Sequence, residues 1–411
     1  MKLEYFIAKR LVTTKNHKSS VSAPIIKIAI TAIALGIIMM LVSVATGLGL
    51  KHKIRDKISA FSGHIVITKY DANVTDITLK PIELNQKLAS QVQGLEGVKQ
   101  VQPFASKAGI MRTETAFEGI VYKGVNEAYQ FDEMREYIEQ GRLPVFEKEM
   151  SNEILMSTYI ARRLEFKLGD KITTYFMKDW GNKVPNVRQF EIVGLFNSGL
   201  QQFDENIIIG DLRHVQRLNR WTENEVGGFE VILNNFDQIE QKGNEIYLNL
   251  PSTVDSKTIV EKYENIFGWL DMFDFNIRVI IIIMIAVASI NMIVALLVLI
   301  LERTQMIGML KALGANNWSV RKIFLYNAFY LIGKGLLYGN GIGLGLLFVQ
   351  KYTGIVKLDP TSYYVREAPV LIRFSDVILL NVGVVLIAML VLLIPSYLIT
   401  KISPVKAIRY D

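Results

Sequence analysis

The residues of this sequence that could do chemistry are few and widely separated. The chain has 411 residues and no cysteine, which excludes thiolate metal sites, disulfides and a cysteine nucleophile. The four histidines, His17, His52, His64 and His214, form no pair at metal-ligand spacing, and we expect surface or turn positions for them. Neither a G-x-x-x-x-G-K-[ST] phosphate loop nor a G-x-S-x-G nucleophile motif occurs. The sequence therefore predicts no catalytic residue, cofactor site or metal site in this chain.

Four long apolar stretches decide the class of protein. Residues 28–50, 279–301 and 377–400 carry no charge, and 323–350 carries only Lys334. A bilayer core about 30 Å thick needs about 20 helical residues, so all four stretches are predicted transmembrane helices. An ammonium near mid-bilayer costs about 3 kcal/mol unless it finds a partner. Lys334 is therefore a candidate functional residue, with snorkelling or packing against a carbonyl as the alternatives.

The distribution of charge predicts the topology. The chain has a formal net charge of +7, and the segments 1–27, 302–322 and 401–411 contribute +5, +3 and +2. Short segments rich in Lys and Arg stay in the cytoplasm, so we place both termini and 302–322 inside, and 51–278 and 351–376 outside. The positive charge is thus a topology signal and does not indicate a nucleic-acid partner.

Residues 51–278 are predicted to form a folded outer domain between the first two spans. The segment is long enough for its own core, and alternating patterns favour an α/β or α+β fold. Strand patterns occupy 64–70, 119–125, 171–177, 188–195 and 229–233. Helical patterns occupy 128–140, 159–166, 211–219 and 236–249. The predicted fold is an α-helical membrane protein with four transmembrane helices and a large α/β (α+β) periplasmic domain.

Both joins between this domain and the membrane have amphipathic patterns. Apolar residues recur every three or four positions after the first span, at Leu50, Ile54, Ile58 and Phe61. A similar pattern over 260–277 runs into the second span with no proline and no obvious cap. We expect the first two spans to continue outward as paired stalk helices; the alternative is two surface helices with a break at the membrane.

Small residues in the third span predict close helix packing. Gly335, Gly339 and Gly343 stand at four-residue spacing, which lets the backbone of another membrane helix approach closely. Packing within the bundle is the expected role of this row.

The segment 302–322 contains the most informative pattern. Met306, Leu310 and Leu313 lie at i, i+4 and i+7, which predicts one apolar stripe on a short helix, and Gly314 is placed to end it. Such a helix either lies in the membrane interface or docks into a groove on a partner. The periodicity alone leaves both readings open.

This segment and the C-terminal tail resemble the FtsX/MacB-type ABC transporter permeases. The run ERTQMIGMLKALGANNWSVRKIFLYNA is similar to the coupling-helix region of that family, with Gln305-Met306 replacing the usual acidic residue. The tail PSYLITKISPVKAIRYD is similar to the family's closing motif through Pro395, Pro404, Ala407 and Arg409. The first span, Gly63-His64-Ile65 and the runs LGDKITTYF and FEIVGLFNSG resemble the lipoprotein-releasing (LolC/LolE) branch.

The resemblance implies a non-catalytic permease subunit in the bacterial inner membrane. It implies a permease dimer, of identical or different chains, with two copies of a separate ATPase that carries ATP and Mg. It also implies lipoprotein cargo, membrane lipid and a periplasmic lipoprotein carrier as partners. The positions that correspond to the ATPase-coupling region are Glu302, Arg303, Met306, Ile307, Leu310, Lys311, Leu313 and Gly314.

A predicted β-hairpin matches the place of a carrier-binding hook in one permease type. It joins 171–177 to 188–195, and the candidate hook residues at its tip are Lys178, Trp180, Lys183 and Pro185. A tryptophan on a loop can anchor a partner, or it can pack back on its own domain.

Two other functions share this layout. FtsX-like regulators of cell-wall hydrolases usually have a smaller outer domain than 51–278, and MacB-like efflux permeases usually carry their ATPase on the same chain, although split versions exist. We expect the lipoprotein-releasing function.

Overall fold

The computed structural model describes residues 3–13, 22–70, 79–83, 86–177 and 184–402. The chain divides into two compact units. The helical unit comprises Met1–Lys51, Trp269–Lys357 and Glu367–Asp411. The mixed unit comprises His52–Gly268 and Leu358–Arg366.

The helices of the described residues, in chain order, are α1 (Leu3–Thr13), α2 (Ser22–Ser62), α3 (Gln86–Gln93), α4 (Thr158–Arg163), α5 (Gln201–Asp204), α6 (Leu212–Asn219), α7 (Ile239–Asn249), α8 (Ile259–Lys262), α9 (Glu264–Glu302), α10 (Thr304–Ala312), α11 (Asn317–Thr353), α12 (Pro360–Tyr363), α13 (Phe374–Ser396) and α14 (Leu398–Lys401). Two 3-10 turns occupy Asp132–Tyr137 and Phe236–Gln238.

The strands are β1 (Ile65–Lys69), β2 (Ile82–Glu83), β3 (Val98–Arg112), β4 (Phe117–Val125), β5 (Ile138–Gly141), β6 (Glu153–Ser157), β7 (Lys171–Phe176), β8 (Asn186–Phe196), β9 (Ile207–Asp211), β10 (Glu225–Val226), β11 (Gly228–Leu233) and β12 (Val254–Thr258).

Four helices of the described chain are long and apolar enough to cross a membrane. They are α2, α9, α11 and the α13–α14 pair, and they contain the four apolar stretches of the sequence. The last pair is interrupted at Tyr397, whose N–H donates to the Ile394 carbonyl three residues earlier at 3.1 Å. The sequence pattern had indicated one continuous helix there.

Helices α2 and α9 run without a break past the ends of their apolar stretches. Helix α2 continues beyond Leu50 to Ser62, and α9 already begins at Glu264. The expectation of one uncapped helix over 260–277 is wrong at its start, because Thr258 and Glu261 form a capping box for the short α8 and the chain bends at Tyr263 before α9. Both long helices nevertheless extend beyond the length that a bilayer requires.

Within the helical unit, the predicted glycine row packs against α2. A Cβ atom at Gly335 would lie 2.6 Å from Ile33, one at Gly339 2.8 Å from Ile37, and one at Gly343 3.2 Å from Leu41. Since the first two distances are shorter than any normal carbon–carbon contact, only glycine permits this approach.

Polar side chains also link the long helices of this unit. Asn340 on α11 and Asn381 on α13 exchange amide hydrogen bonds of 2.7 and 3.0 Å. The ammonium of Lys51 on α2 lies 2.7 Å from the Asp274 carboxylate on α9. Each contact fixes the relative rotation of two helices.

The mixed unit is built on a ten-stranded sheet with the order β12-β1-β11-β3-β4-β9-β6-β8-β5. Strand β7 pairs with both β3 and β8, so six strands (β3, β4, β9, β6, β8 and β7) close into a ring. The pairs β4–β9 and β6–β8 are parallel, and the other pairs are antiparallel. The core contains the buried rings of Tyr122, Phe176 and Phe190, with the Tyr122 and Phe190 ring centroids 5.1 Å apart.

All five predicted strands are present, but two expectations for this unit are wrong. The pattern over 128–140 indicated a helix, whereas the chain forms the 3-10 turn at Asp132–Tyr137 and then β5, because Ile138 pairs with Phe196 of β8. His214 is fully buried in α6, and its Nε2 lies 2.9 Å from the carbonyl oxygen of Ser151, so it is not a surface residue.

Candidate functional site

The candidate site is the short helix α10, which lies between the second and third long helices. Helix α9 ends at Glu302, and Arg303 separates it from α10. After α10, Gly314 has a φ of +93°, a left-handed conformation that favours glycine. The Asn316 side chain then accepts a 2.7 Å hydrogen bond from the Ser319 N–H and caps α11. The predicted helix over 306–314 is therefore present as a separate element with a defined break at each end.

One side of α10 packs into the core of the helical unit. Ile307 is fully buried, in a cluster that includes Phe324 of α11 and Leu392 of α13. Met306 and Leu310 are partly buried against the same cluster. This side of α10 is used by its own chain.

The other side of α10 carries two exposed apolar side chains, Met309 and Leu313, which are 53% and 85% exposed. We call them the α10 pair. The structure therefore divides the predicted stripe of Met306, Leu310 and Leu313, because only Leu313 is open to a partner. Met309, which the periodicity did not single out, joins it.

Lys311 connects α10 to the end of the fourth long helix. Its ammonium donates hydrogen bonds to the main-chain oxygens of Ile399 at 2.6 Å, Ile402 at 2.9 Å and Thr400 at 3.3 Å. Carbonyls at a helix end lack partners within the helix, and a positive charge there is favourable. Desolvation lowers the pKa of Lys311 below its ordinary value. The sequence predicted a coupling role for Lys311 but gave no partner.

A second link, which sequence reasoning missed, lies one turn into α11. The Arg321 guanidinium donates to the Ser396 hydroxyl at 3.0 and 3.1 Å and to the Leu393 carbonyl at 3.2 Å. The Ser396 hydroxyl itself donates to the same Leu393 carbonyl at 2.7 Å, so the three groups form one small network at the end of α13. Arg321 and Ser396 are 75 positions apart in the sequence, so no local signal could have found this contact.

The remaining predicted residues lie apart from α10. Lys334 has its ammonium 4.7 Å from the centroid of the Tyr330 ring, one turn earlier on α11, which is a cation–π distance. The hairpin of β7 and β8 is present with Phe176 opposite Asn186, and Pro185 precedes the return strand. Lys178, Trp180 and Lys183 lie outside the described residues, as do Pro404, Ala407 and Arg409 of the tail.

The arrangement around α10 consists of apolar packing and hydrogen bonds to main-chain oxygens. Within the described ranges, no group of three or more His, Cys, Asp or Glu side chains could hold a metal ion. The α10 pair offers apolar contact area, while Ile307 and Lys311 tie α10 to the long helices. Helix α10 is therefore held on one side by the long helices and is exposed on the other.

Comparisons with known proteins define the class of this chain. A family model described as FtsX-like permease C-terminal matches residues 278–404, which include α10. A second, described as MacB-like periplasmic core domain, matches residues 28–266. The chain therefore belongs to the FtsX/MacB-type ABC transporter permeases, and the resemblance read from its motifs is confirmed.

Two relatives match along nearly their whole length. The lipoprotein-releasing system transmembrane protein LolC of Neisseria meningitidis serogroup B is 23% identical over 441 residues, covering 100% of this chain and 99% of the relative. LolE of Haemophilus influenzae is 21% identical over 421 residues, covering 99% of both chains. The periplasmic region of MacB from Actinobacillus actinomycetemcomitans is 14% identical, covers 49% of this chain and 91% of its own, and has a TM-score of 0.33.

Proposed function

We propose that this chain is the permease subunit of an ABC transporter that releases lipoproteins from the bacterial inner membrane. The support is that relatives named as lipoprotein-releasing proteins match it from end to end, and that four of its helices suit a bilayer. In this proposal the chain is not an enzyme. A separate ATPase dimer binds ATP and Mg, and a second permease subunit, identical or different, completes the transporter.

The observation that carries the proposal is that α10 has one exposed apolar side and one side packed against the long helices. Its exposed pair, Met309 and Leu313, is suited to an apolar groove on the ATPase. Its opposite side is held by the burial of Ile307 and by the hydrogen bonds from Lys311 to the end of α14. A displacement of α10 by the ATPase would therefore move α9, α11 and the α13–α14 pair together.

In this proposal, the rest of the chain converts the movement of α10 into release of the cargo. Both termini and α10 lie in the cytoplasm in this proposal, and the mixed unit lies in the periplasm, because the short positively charged segments stay inside. The unbroken helices α2 and α9 carry the movement outward. The cargo then leaves the membrane for a periplasmic carrier, for which the hairpin tip at 178–185 is the candidate docking site.

Depletion of the chain tests the cargo class. Cells that lose the chain should retain lipoproteins in the inner membrane, whereas inner-membrane proteins without a lipid anchor should keep their normal distribution. Membrane fractionation before and after depletion, with wild-type re-expression as the control, measures this. Normal lipoprotein sorting in depleted cells would contradict the proposal.

A further inference from the structure

The connection between α11 and α13 contributes a short segment to the mixed unit. The chain leaves the helical unit at Lys357 and returns to it at Glu367, and these two residues form an antiparallel β-bridge. The residues between them, 358–366, belong to the mixed unit, and we call them the crossing loop. The Leu358 N–H donates to the Arg366 carbonyl at 3.0 Å, so the loop is closed at its neck.

Lys57 on α2 makes the buried contact with this loop. Only 8% of the residue is exposed. Its ammonium donates to the main-chain oxygen of Tyr364 at 2.8 Å and to that of Ser198 at 2.5 Å. Three segments distant in sequence therefore meet at one ammonium. In the part of the chain that the structure describes, no ion pair involves Lys57.

A residue with left-handed backbone lies on each side of this ammonium, and of the two only Tyr364 is unusual, since glycine adopts a positive φ readily. Tyr364 has a φ of +58°, which is rare for a bulky residue and persists only where its surroundings enforce it. Gly199 has a φ of +68°, and a Cβ atom there would lie 3.0 Å from the Lys57 ammonium. A hydrogen bond to the Tyr364 carbonyl is a direct way to hold the strained residue in place.

We propose that Lys57 is a positioning residue that holds the crossing loop on the mixed unit through the carbonyl of Tyr364. The loop is then a third connection between the two units, beside α2 and α9. If the proposed function holds, a movement of α2 pulls through Lys57 on the chain between α11 and α13. That consequence for transport rests on the proposed function, whereas the attachment of the loop does not.

A second polar contact of the loop, at Arg366, is exposed to solvent. Arg366 pairs with Glu139 at 2.7 Å, but 65% of the arginine side chain is exposed. An exposed ion pair contributes little, because water and salt screen it and both side chains lose freedom. The buried ammonium, which donates to two carbonyls, is therefore the stronger of these two contacts.

The charges around Lys57 give its contact a definite pH dependence. Burial, and next the neighbouring Lys53, lower the pKa of Lys57 to about 8; Asp204 and Glu136 act in the opposite direction, and Arg366 lowers it further. When the loop leaves, Lys57 meets water and its pKa returns toward 10.5. The detached state thus binds the proton more tightly. A neutral amine still has two N–H donors for the two carbonyls, so loss of the proton removes the cost of burying a charge and keeps both hydrogen bonds. Attachment of the loop should therefore strengthen as pH rises above about 8, and should be weakest below it.

Thiol modification measures detachment of the loop directly. The chain has no cysteine, so a single introduced thiol can be followed. Val365→Cys, at a position only 4% exposed, reports loop opening. Thr361→Cys, at an exposed position in the same loop, is the reference. The opening ratio is the modification rate of Val365→Cys divided by that of Thr361→Cys, both measured in the purified full chain. Taking this ratio cancels the effect of pH on the thiol. Lys57→Met should raise this ratio by roughly tenfold or more, since two charge-assisted hydrogen bonds are lost.

Two variants and a pH series complete the test. Lys53→Met and Arg366→Ala, which remove exposed charges beside the same contact, should change the ratio by less than about threefold. In the wild type the ratio should fall between about pH 7.5 and about pH 9.5.

A folded Lys57→Met variant with the wild-type ratio overturns the proposal. If that variant does not accumulate, the wild-type pH series decides, and a ratio that stays flat or rises with pH overturns it. No ATPase or lipoprotein is needed, so failure here leaves the proposed function intact, and failure of the depletion experiment leaves this result intact.

Discussion

The ammonium of Lys311 lies 2.6 Å from the main-chain oxygen of Ile399, and this contact joins residues 88 positions apart in the sequence. It places the last turn of α10 against the end of the fourth long helix. Together with the buried side chain of Ile307, it makes α10 part of the membrane bundle. A partner that moves α10 therefore acts on more than the two helices that flank it in sequence.

Lys311→Met should uncouple docking from transport. The variant keeps the α10 pair and should still bind the ATPase, but it loses the hydrogen bonds to the end of α14, so we expect lipoprotein release to fall by about tenfold. ATPase co-purification and release from proteoliposomes, measured on the same preparation, separate the two effects. Lys401→Met, an exposed lysine in α14, is the matched control. Equal release from Lys311→Met and the control would refute the link.

The glycine row of α11 offers a paired test of packing. Gly339→Leu should destabilise the bundle by about 1–3 kcal/mol, because the new side chain meets Ile37 and the Ala34 carbonyl of α2. Gly341→Leu places the same side chain where no atom lies within 4 Å, and should be near neutral. Thermal unfolding of the full chain in detergent compares them. Similar midpoints for the two variants would show that the α2 contact is absent.

A buried ion pair holds the end of α2 in the mixed unit. Lys123 and Glu230 lie 2.6 Å apart with side chains only 6% and 5% exposed, and Lys123 also donates to the Phe61 carbonyl at 2.7 Å. Glu230→Gln leaves a buried charge unpaired and should cost about 3–5 kcal/mol. Glu139→Gln, which breaks the exposed pair with Arg366, should cost less than about 1 kcal/mol. Denaturant unfolding of both variants measures the difference.

His64 should make the mixed unit sensitive to acid. Its Nδ1 accepts the Leu233 N–H at 2.8 Å, and burial, then Arg55 and Lys99, lower its pKa to about 4. Because the unfolded chain protonates near 6.5, stability should be full above that pH and should decline as pH falls toward about 4. His64→Asn keeps an acceptor without titration and should flatten this part of the curve. The unfolding temperature of both proteins is measured from about pH 7 to about pH 4.5. If it falls as steeply with pH in His64→Asn as in the wild type, groups other than His64 cause the acid sensitivity.

Local patterns predicted much of this fold, and the failures have physical causes. The apolar stretches and the five strand patterns correspond to real elements because burial alone defines them. The longest strand, β3, was not predicted from the sequence because polar side chains are buried along it. Gln102 accepts the Gln130 N–H at 3.1 Å, and the Lys107 ammonium contacts Asn219, so tertiary hydrogen bonds compensate for an unfavourable pattern.

The candidate site shows the same division. Periodicity predicted α10 and the glycine that ends it, but it could not show which apolar residues of α10 would be buried against the long helices. Met306 and Leu310 are partly buried against the long helices, whereas Met309 is exposed. The partners of Lys311 and Arg321 lie more than 70 residues away in sequence, at |i−j| of 88 and 75, and no local pattern reports them.

In the proposed function, an ATPase drives lipoprotein release through α10. The most direct test of this coupling is ATP-dependent transfer of a lipoprotein from proteoliposomes to a soluble carrier, with wild type, Leu313→Asp and Ile355→Asp compared. Leu313 and Ile355 are both exposed apolar residues of the helical unit, but only Leu313 belongs to the α10 pair. We expect transfer by wild type and Ile355→Asp and loss of transfer with Leu313→Asp. Undiminished transfer by Leu313→Asp, or no transfer by the wild type with its ATPase present, would contradict it.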